Sequence, residues 1–255
     1  MRMHKKNNNR ELVYGVNAVF SALDTSAEKI TSAWIAKGRD EDRRVSDIVA
    51  RLEKAGVKVQ YALSHFLDEK TEGGVHQGVV IEMLATPPLN EHDLEELIAS
   101  KEGKPQLYLV LDGVTDPRNL GACMRSAWAA GADAVIVPRD RSASLTPVAR
   151  KTADGAAEAV PFAAVTNLAR VLDFMRDHAI ETVGLAGEGS EIIYDHKFAP
   201  AVAVIMGSEE SGMRRLTREK CDAIVRIPMN ENVESLNVSV AAGITLFETV
   251  RQRLI

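Results

Sequence analysis

The sequence predicts an α/β protein in two parts, of which the larger, C-terminal part is built on a parallel sheet. From Gln106 onward, short apolar and β-branched runs alternate with segments of helical periodicity, which is the pattern of a sheet covered by helices on both faces. Three of the predicted strands are followed at once by polar segments rich in glycine, asparagine and carboxylates. A stretch rich in proline and charge, 85–105, separates this part from a smaller α/β pattern.

The composition is that of an ordinary globular protein. The chain has 255 residues, of which 45% are hydrophobic and 26% are charged, and its formal net charge is −5. No uncharged apolar run approaches the roughly 18 residues of a bilayer span, and the first ten residues lack the apolar core of a signal peptide. Two cysteines far apart, Cys123 and Cys221, disfavour a disulfide framework and a structural zinc site. We therefore expect a cytoplasmic protein with no membrane segment and no bound metal.

The first part begins with a polar, basic segment, 1–10, that we predict to be a disordered tail. A small α/β domain is predicted over 11–84. Its predicted elements, in order, are a helix marked by Val13, Val16, Phe20 and Leu23, a strand at Ile30–Ala36, a helix marked by Val45, Ile48, Val49 and Leu52, and strands at Val57–Tyr61 and Gly78–Met83.

The segment 85–105 differs in character from its neighbours. It begins with Thr86-Pro87-Pro88, continues through an acidic run and ends at Lys104-Pro105. Paired prolines favour an extended backbone. We therefore predict an interdomain linker over 85–105, with one short helix around Asp93–Ala99.

The second predicted domain, 106–255, alternates strands and helices. Its predicted strands are Leu107–Leu111, Ala134–Val137, Thr182–Leu185, Ala201–Met206 and Ala223–Ile227, and its predicted helices are Asn119–Ala130, Leu168–His178, Arg214–Cys221 and Asn237–Arg253. In an open parallel sheet, ligands bind beyond the carboxyl ends of the strands. The functional residues are therefore expected in the segments that follow these strands.

Three segments, Asp112–Gly121, Gly207–Gly212 and Pro228–Asn237, follow predicted strands and precede predicted helices. Together they predict one pocket that is lined from three sides. A fourth strand leads into the segment 139–151, in which only Asp140 opposes four cationic side chains. These cations are Arg139, Arg141, Arg150 and Lys151. A basic segment beside a polar pocket indicates contact with nucleic-acid phosphates.

Each of these features also has a purely structural interpretation. The glycines could supply turn geometry alone, and Asn119 and Asn237 could be helix N-caps. Arg125 could lie on a solvated helix face, and the basic segment could be ordinary surface charge. The joint occurrence of three such segments favours the functional interpretation.

Two familiar phosphate-binding motifs are excluded. The spacing Gly207–Gly212 is that of a P-loop, but Met213-Arg214 replaces the required Lys-Ser/Thr pair. The run Gly184–Gly189 lacks the G-x-G-x-x-G spacing of a dinucleotide-binding turn. Neither a P-loop NTPase nor a nicotinamide-dependent dehydrogenase is therefore predicted.

The three strand-end segments, in this order, resemble the motifs of the SpoU (TrmH-type) RNA ribose 2′-O-methyltransferases, members of the SPOUT superfamily. The resemblance lies in Asp116–Arg125, Met206–Met213 and Ile227–Ala241, and it extends over essentially the whole chain. In addition, Glu11–Val19 and His76–Val79 are similar to the amino-terminal domain of the subgroup that methylates a guanosine of bacterial 23S ribosomal RNA.

The resemblance implies a C-terminal SPOUT α/β domain with a deep trefoil knot, which is rare among folds. It also implies S-adenosylmethionine as cofactor, an L30e-like RNA-binding domain at the amino terminus, and a homodimer with the final helix in its interface. The family's cofactor positions fall on Gly207, Ile227 and Leu236, and its catalytic positions on Asn119, Arg125, Glu209, Ser235 and Asn237. We add as RNA-binding candidates Arg118, Arg139, Arg141, Arg150 and Lys151.

Methyl transfer to a ribose 2′-hydroxyl needs alignment of the hydroxyl and removal of its proton. A guanidinium remains protonated, so we predict that Arg125 holds a neighbouring phosphate through two hydrogen bonds. Asn119 would orient the arginine or the ribose. Glu209 is the candidate base, with Ser235 as a relay.

Three alternatives stay open at this stage: a transfer RNA as substrate, a non-catalytic RNA-binding or ribosome-assembly protein of the same fold, and an enzyme acting on small nucleotides. The amino-terminal domain favours ribosomal RNA, and the five catalytic positions favour an enzyme. We also expect a fragment of residues 105–255 to retain cofactor binding and to lose RNA affinity.

Overall fold

The computed structural model describes residues 10–39 and 41–254. The predicted tail, 1–10, lies outside the described residues except for Arg10, which is the first residue of a strand. The chain divides into two compact units between Pro87 and Pro88, here called unit 1 and unit 2.

Unit 1 is a four-stranded sheet with helices. Its elements are β1 (Arg10–Tyr14), α1 (Val16–Thr25), a short 3₁₀ turn (Ala27–Lys29), β2 (Ile30–Ala36), α2 (Arg43–Lys54), β3 (Val59–Ala62), α3 (Ser64–Lys70) and β4 (Val79–Leu84). The strand order is β1-β4-β2-β3, and β4 runs antiparallel to both of its neighbours. Val13, predicted as helical, lies in β1, because Gly15 at a φ of 95° separates that strand from α1.

Unit 2 contains a seven-stranded sheet in the order β7-β6-β5-β10-β8-β11-β9. Its elements are α4 (Glu91–Ala99), β5 (Gln106–Asp112), α5 (Pro117–Ala129), β6 (Ala134–Pro138), α6 (Pro147–Ala153), α7 (Ala156–Ala159), β7 (Phe162–Val165), α8 (Leu168–Asp177), β8 (Glu181–Leu185), β9 (Glu191–Ile192), β10 (Ala201–Gly207), α9 (Arg215–Glu219), β11 (Ala223–Arg226) and α10 (Val238–Arg253). Every paired strand is parallel to its neighbour. The predicted α/β class with a parallel sheet is confirmed.

Both faces of this sheet are buried. On one face Leu109, Leu111 and Val204 pack with α5 and α10, and on the other Tyr108 and Ile205 pack with α4 and α8. Burial on both faces explains why the strands are continuous apolar runs.

The prediction of a linker over 85–105 is wrong for most of its length. In α4, Leu94 and Ile98 are 0% and 1% exposed and belong to the same apolar cluster as Tyr108. Leu89 accepts from Ala164 N at 2.9 Å and donates to Phe162 O at 2.8 Å. The i, i+4 spacing of two apolar residues buries one face of this helix, although the segment is rich in acids and prolines.

The position of the domain boundary leads to a test. We expect a fragment of residues 88–255 to fold, and a fragment of 105–255 to be less stable. The second fragment loses the burial of Leu94 and Ile98, which corresponds to about 3–6 kcal/mol of the free energy of unfolding, at about 1.5–3 kcal/mol for each side chain. Urea unfolding of both fragments measures the difference. Equal midpoints would contradict the assignment of α4 to unit 2.

Candidate active site

The three strand-end segments meet at one edge of the unit 2 sheet. In the sheet, β10 lies between β5 and β8, and β11 follows β8. Since all four strands are parallel, their carboxyl ends lie at the same edge. The segments after β5, β10 and β11 therefore converge although they are far apart in sequence.

Hydrogen bonds join Asn119, Glu209 and Asn237, here called the amide–carboxylate cluster. Glu209 Oε1 accepts from Asn119 Nδ2 at 3.1 Å and from Asn237 Nδ2 at 2.7 Å. Asn237 Nδ2 also donates to Asn119 Oδ1 at 3.0 Å. A third donor to Glu209 Oε1 is the backbone N–H of Val238, at 3.1 Å. Three of the five predicted catalytic residues are thus brought together.

Helix starts position the two amides. Asp116, not Asn119, is the N-cap of α5 and accepts from Arg118 N at 2.8 Å. Asn237 is the N-cap of α10, which is the purely structural role considered for it from the sequence. Its Oδ1 accepts from Ser239 N at 3.0 Å. Its Nδ2 is then directed to Glu209, so one side chain serves both the helix and the cluster.

The loop that carries Glu209 is fixed at both ends. Ser208 and Gly212 exchange two backbone hydrogen bonds of 3.0 Å, which close the loop. Just beyond it, Arg214 donates its backbone N–H and its Nε to the buried carboxylate of Asp112, at 2.9 and 2.6 Å. Since Asp112 ends β5, this contact ties the loop to the neighbouring strand.

A cavity of about 370 Å³ opens beside the cluster and is called the first cavity. Gly207, Ile227 and Leu236, the predicted cofactor positions, line it, together with Ser235 and Glu209. Its wall also includes the segment Leu185–Glu188, further residues of the loop after β10, and Val238 and Ala241 of α10. The cavity has the size of an ordinary small-molecule site.

The comparisons with known proteins decide the family. The model of the SpoU rRNA Methylase family matches residues 106–247, more than half of the chain. The chain belongs to the SpoU rRNA methylase family. A second family model, described as RNA 2′-O ribose methyltransferase substrate binding, matches residues 12–87.

Individual relatives cover nearly the whole chain. A Haemophilus influenzae protein named 23S rRNA (guanosine-2′-O-)-methyltransferase RlmB is 53% identical over 245 residues, which are 96% of this chain and 98% of the relative. The protein of the same name from Escherichia coli K12 is 51% identical over 243 residues, with shares of 95% and 99%. A solved rRNA methyltransferase from Sinorhizobium meliloti with bound AdoMet has a TM-score of 0.78 and 25% identity, with shares of 97% and 88%.

The first cavity of this SpoU family member fits S-adenosylmethionine. Met206, Ile227 and Leu236 supply apolar walls for an adenosyl group. The carboxylates of Glu209 and Glu234 also line the cavity, and Arg218, which is the arginine in its wall among the described residues, is paired with Glu188. A cavity with this surplus of carboxylates is suited to a sulfonium cation.

Sequence reasoning missed the segment Leu185–Glu188 of the cavity wall. It follows β8 directly, so the rule that ligands bind at strand ends could have found it. The run Gly184–Gly189 is not a dinucleotide-binding turn, but residues within it line the first cavity.

Gly207 is required by a close backbone approach. A Cβ added there would lie 2.1 Å from Gly212 C and 2.2 Å from Met213 N. We expect Gly207→Ala to weaken S-adenosylmethionine binding about 5- to 150-fold, corresponding to an overpacking cost of about 1–3 kcal/mol. Isothermal titration measures it. The matched control is Gly187→Ala in the same wall, where a Cβ meets no atom within 4 Å. Equal affinity in the two variants would contradict this role.

Arg125 does not join the amide–carboxylate cluster within the described chain. Its side chain is 63% exposed, and its Nη2 lies 3.4 Å from Asp154 Oδ2. Arg125 follows Asn119 by six residues in α5, about one and two-thirds helical turns, so the two side chains leave the helix in different directions.

The basic candidates divide into two groups. Arg118, Arg139, Arg141 and Lys151 are exposed. Arg150 is buried, and its Nη1 donates to Glu158 Oε1 at 2.7 Å. The prediction that Arg150 contacts RNA is therefore wrong for the chain as folded, because its charge is neutralised inside unit 2.

Cys123 is excluded as a nucleophile. It is buried in α5, and burial, followed by the negative charge of Glu209, raises the pKa of its thiol to about 12. The thiol is therefore protonated near neutral pH and acts as a core residue.

Two further observations concern the described residues as a whole. None of their helices combines the length and apolar character that a membrane crossing requires. No group of three or more His, Cys, Asp or Glu residues among them has a geometry that could hold a metal ion.

Proposed function

We propose that this protein transfers a methyl group from S-adenosylmethionine to the ribose 2′-hydroxyl of a guanosine in 23S ribosomal RNA. The observation that carries the proposal is the amide–carboxylate cluster of Asn119, Glu209 and Asn237 at the border of the first cavity. The relatives named 23S rRNA (guanosine-2′-O-)-methyltransferase support the substrate.

S-adenosylmethionine supplies a methyl group on a sulfonium that becomes neutral on transfer. The apolar walls at Ile227 and Leu236 would hold the adenosyl part and exclude water from it. The carboxylates in the cavity favour the cationic cofactor over its neutral product, which assists product release. This preference for the cofactor over the product does not require a cationic side chain in the cavity wall.

Glu209 receives the proton of the ribose hydroxyl. Its Oε1 already accepts three N–H groups, so Oε2 is the oxygen that can accept the hydroxyl proton. Asn119 and Asn237 fix the direction of the carboxylate, which is the alignment that general-base catalysis requires. Ser235, in the wall of the same cavity, is placed as a relay or as a donor to the ribose.

Arg125 and the exposed cations bind the RNA backbone. Arg125 presents a solvent-accessible guanidinium that can hold a phosphate through two hydrogen bonds. Arg118, Arg139 and Lys151 add a sequence-independent attraction to the phosphates. The match of residues 12–87 to a substrate-binding model supports unit 1 as a second RNA contact.

The protein acts as a homodimer through unit 2. Trp128 in α5 and Val240 and Phe247 in α10 are 46%, 50% and 48% exposed, and α5 packs against α10, so these two helices present large apolar side chains that a second copy would bury. Arg125 lies one turn from Trp128, so it would border this interface.

The trefoil knot stays a prediction, as does the cytoplasmic location that an rRNA substrate implies.

The function is tested by tritiated methyl transfer to unmodified 23S rRNA, followed by mapping of the 2′-O-methyl position. We expect incorporation at a guanosine, and none into unmodified transfer RNA or free guanosine monophosphate. Binding of rRNA without incorporation would support an assembly factor instead. Incorporation into transfer RNA alone would replace the proposed substrate.

A further inference from the structure

A second cavity of about 310 Å³ lies next to the first one. The two share part of their walls, namely Ser208, Glu209, Ser211, Gly212 and Val238. The loop 208–212 therefore separates the cofactor side from a space bordered by the end of β5 and the start of α5. Asn119 also lines this second cavity, so the amide–carboxylate cluster is accessible from it.

The carboxylates of the second cavity are all engaged except one. Asp112 binds Arg214, Asp116 caps α5, and Glu209 accepts three N–H groups. Within the part of the chain that the structure describes, Glu210 has no hydrogen bond or ion pair and is exposed. It is thus the carboxylate of this cavity with both oxygens available to a ligand.

A cation is placed in the same wall. Arg141 lines the second cavity, and no described side chain pairs with it. Its φ is 59°, a conformation that is uncommon for a residue other than glycine. The segment is held two residues later by Ala143 N, which donates to Val114 O at 2.8 Å. Such backbone strain persists where the surrounding structure enforces it, and it is concentrated at binding sites.

We propose that the second cavity binds the guanine base of the target nucleotide, with Glu210 accepting from its N1–H and 2-amino groups and Arg141 donating to its O6 or N7. This rests on the proposed methylation of guanosine. Guanine presents two adjacent donors and two acceptors, which match a carboxylate and a guanidinium. A base extruded from its stack is normally recognised through this edge.

The same pair of side chains disfavours adenine. At the corresponding positions, adenine has an unprotonated N1 and lacks the 2-amino group, so a carboxylate would face an acceptor instead of two donors. Each correct pairing of this kind discriminates by about 1–3 kcal/mol, or about 5- to 150-fold. The location explains how an enzyme that acts on a ribose hydroxyl, common to all nucleotides, selects one base.

The test uses the full chain and a 23S rRNA transcript in which the methylated guanosine has first been mapped, with a second transcript that carries adenosine there. We expect the wild type to prefer guanosine in kcat/KM. Glu210→Gln should reduce that preference at least 10-fold, because an amide can pair with adenine, and should leave the Kd of S-adenosylmethionine unchanged. The control is Glu102→Gln, an exposed carboxylate that lines neither cavity.

Arg141→Gln gives a second readout and should also lower the preference for guanosine. A Glu210→Gln variant with the wild-type ratio of guanosine to adenosine would overturn the proposal, and so would equal losses on both transcripts. If the wild type methylates neither transcript, the proposed function fails instead. A loss of cofactor binding in Glu210→Gln would assign this residue to the first cavity and would also overturn the proposal.

Discussion

Glu209→Gln is expected to reduce kcat for methyl transfer by about 10²- to 10⁴-fold, the usual contribution of a general base. The amide oxygen can still accept the bonds from Asn119, Asn237 and Val238, so the cluster keeps its shape. What is lost is a carboxylate oxygen that takes a proton. Single-turnover rates on 23S rRNA between pH 5 and 9 measure the effect.

Two comparisons separate proton transfer from positioning. Asn237→Asp keeps the oxygen that caps α10 but replaces the Nδ2 donor with a second carboxylate beside Glu209, and so should lower thermal stability as well as rate. Glu231→Gln, an exposed carboxylate that lines neither cavity, should behave as wild type. A Glu209→Gln variant whose rate falls but whose pH–rate profile keeps the wild-type shape would remove Glu209 as the base.

Arg125→Lys is expected to lower kcat/KM for RNA about 10- to 150-fold. Lysine keeps the charge but loses the planar fork that binds a phosphate through two hydrogen bonds. A hydrogen bond to a charged group contributes about 1.5–3 kcal/mol, which sets this range. Steady-state kinetics at fixed ionic strength measure it, because binding to phosphates depends on salt.

The control for Arg125 is Arg215→Lys, an exposed arginine of α9 that pairs with Glu219 and lines neither cavity. It should leave kcat/KM unchanged. Arg125→Ala should have a lower kcat/KM than Arg125→Lys, since alanine removes the charge as well as the planar group. Wild-type turnover by the lysine variant would exclude a role that depends on the fork.

The elements of the fold could be predicted where burial imposes a regular pattern of apolar residues on the sequence. The strands of unit 2 are continuous apolar runs because helices cover both faces, and this pattern predicted the parallel sheet. The strand order could not be predicted, because nothing local places β10 between β5 and β8. The sequence predicts a linker around α4 because the prolines and acids of 85–105 outweigh the spacing of Leu94 and Ile98.

For the site, the sequence could predict the location but not the contacts between side chains. The rule for strand ends located the segments of Asn119, Glu209 and Asn237, since it depends only on parallel strands. It could not predict which side chains meet, and Arg125 leaves α5 in another direction than Asn119. The second cavity could not be predicted either, because it depends on how Arg214 binds Asp112 across 102 positions of sequence.

The buried pair of Arg150 and Glu158 affects how mutational scans of the basic segment should be interpreted. Both side chains lie inside unit 2, at 8% and 2% exposure. Removing either one breaks a buried ion pair, which costs about 3–5 kcal/mol of the free energy of unfolding. An alanine at position 150 would therefore lower RNA methylation through loss of folded protein, and would imitate a recognition defect. Libraries intended to redirect this enzyme to new RNAs should vary Arg139, Arg141 and Lys151 and keep position 150 constant.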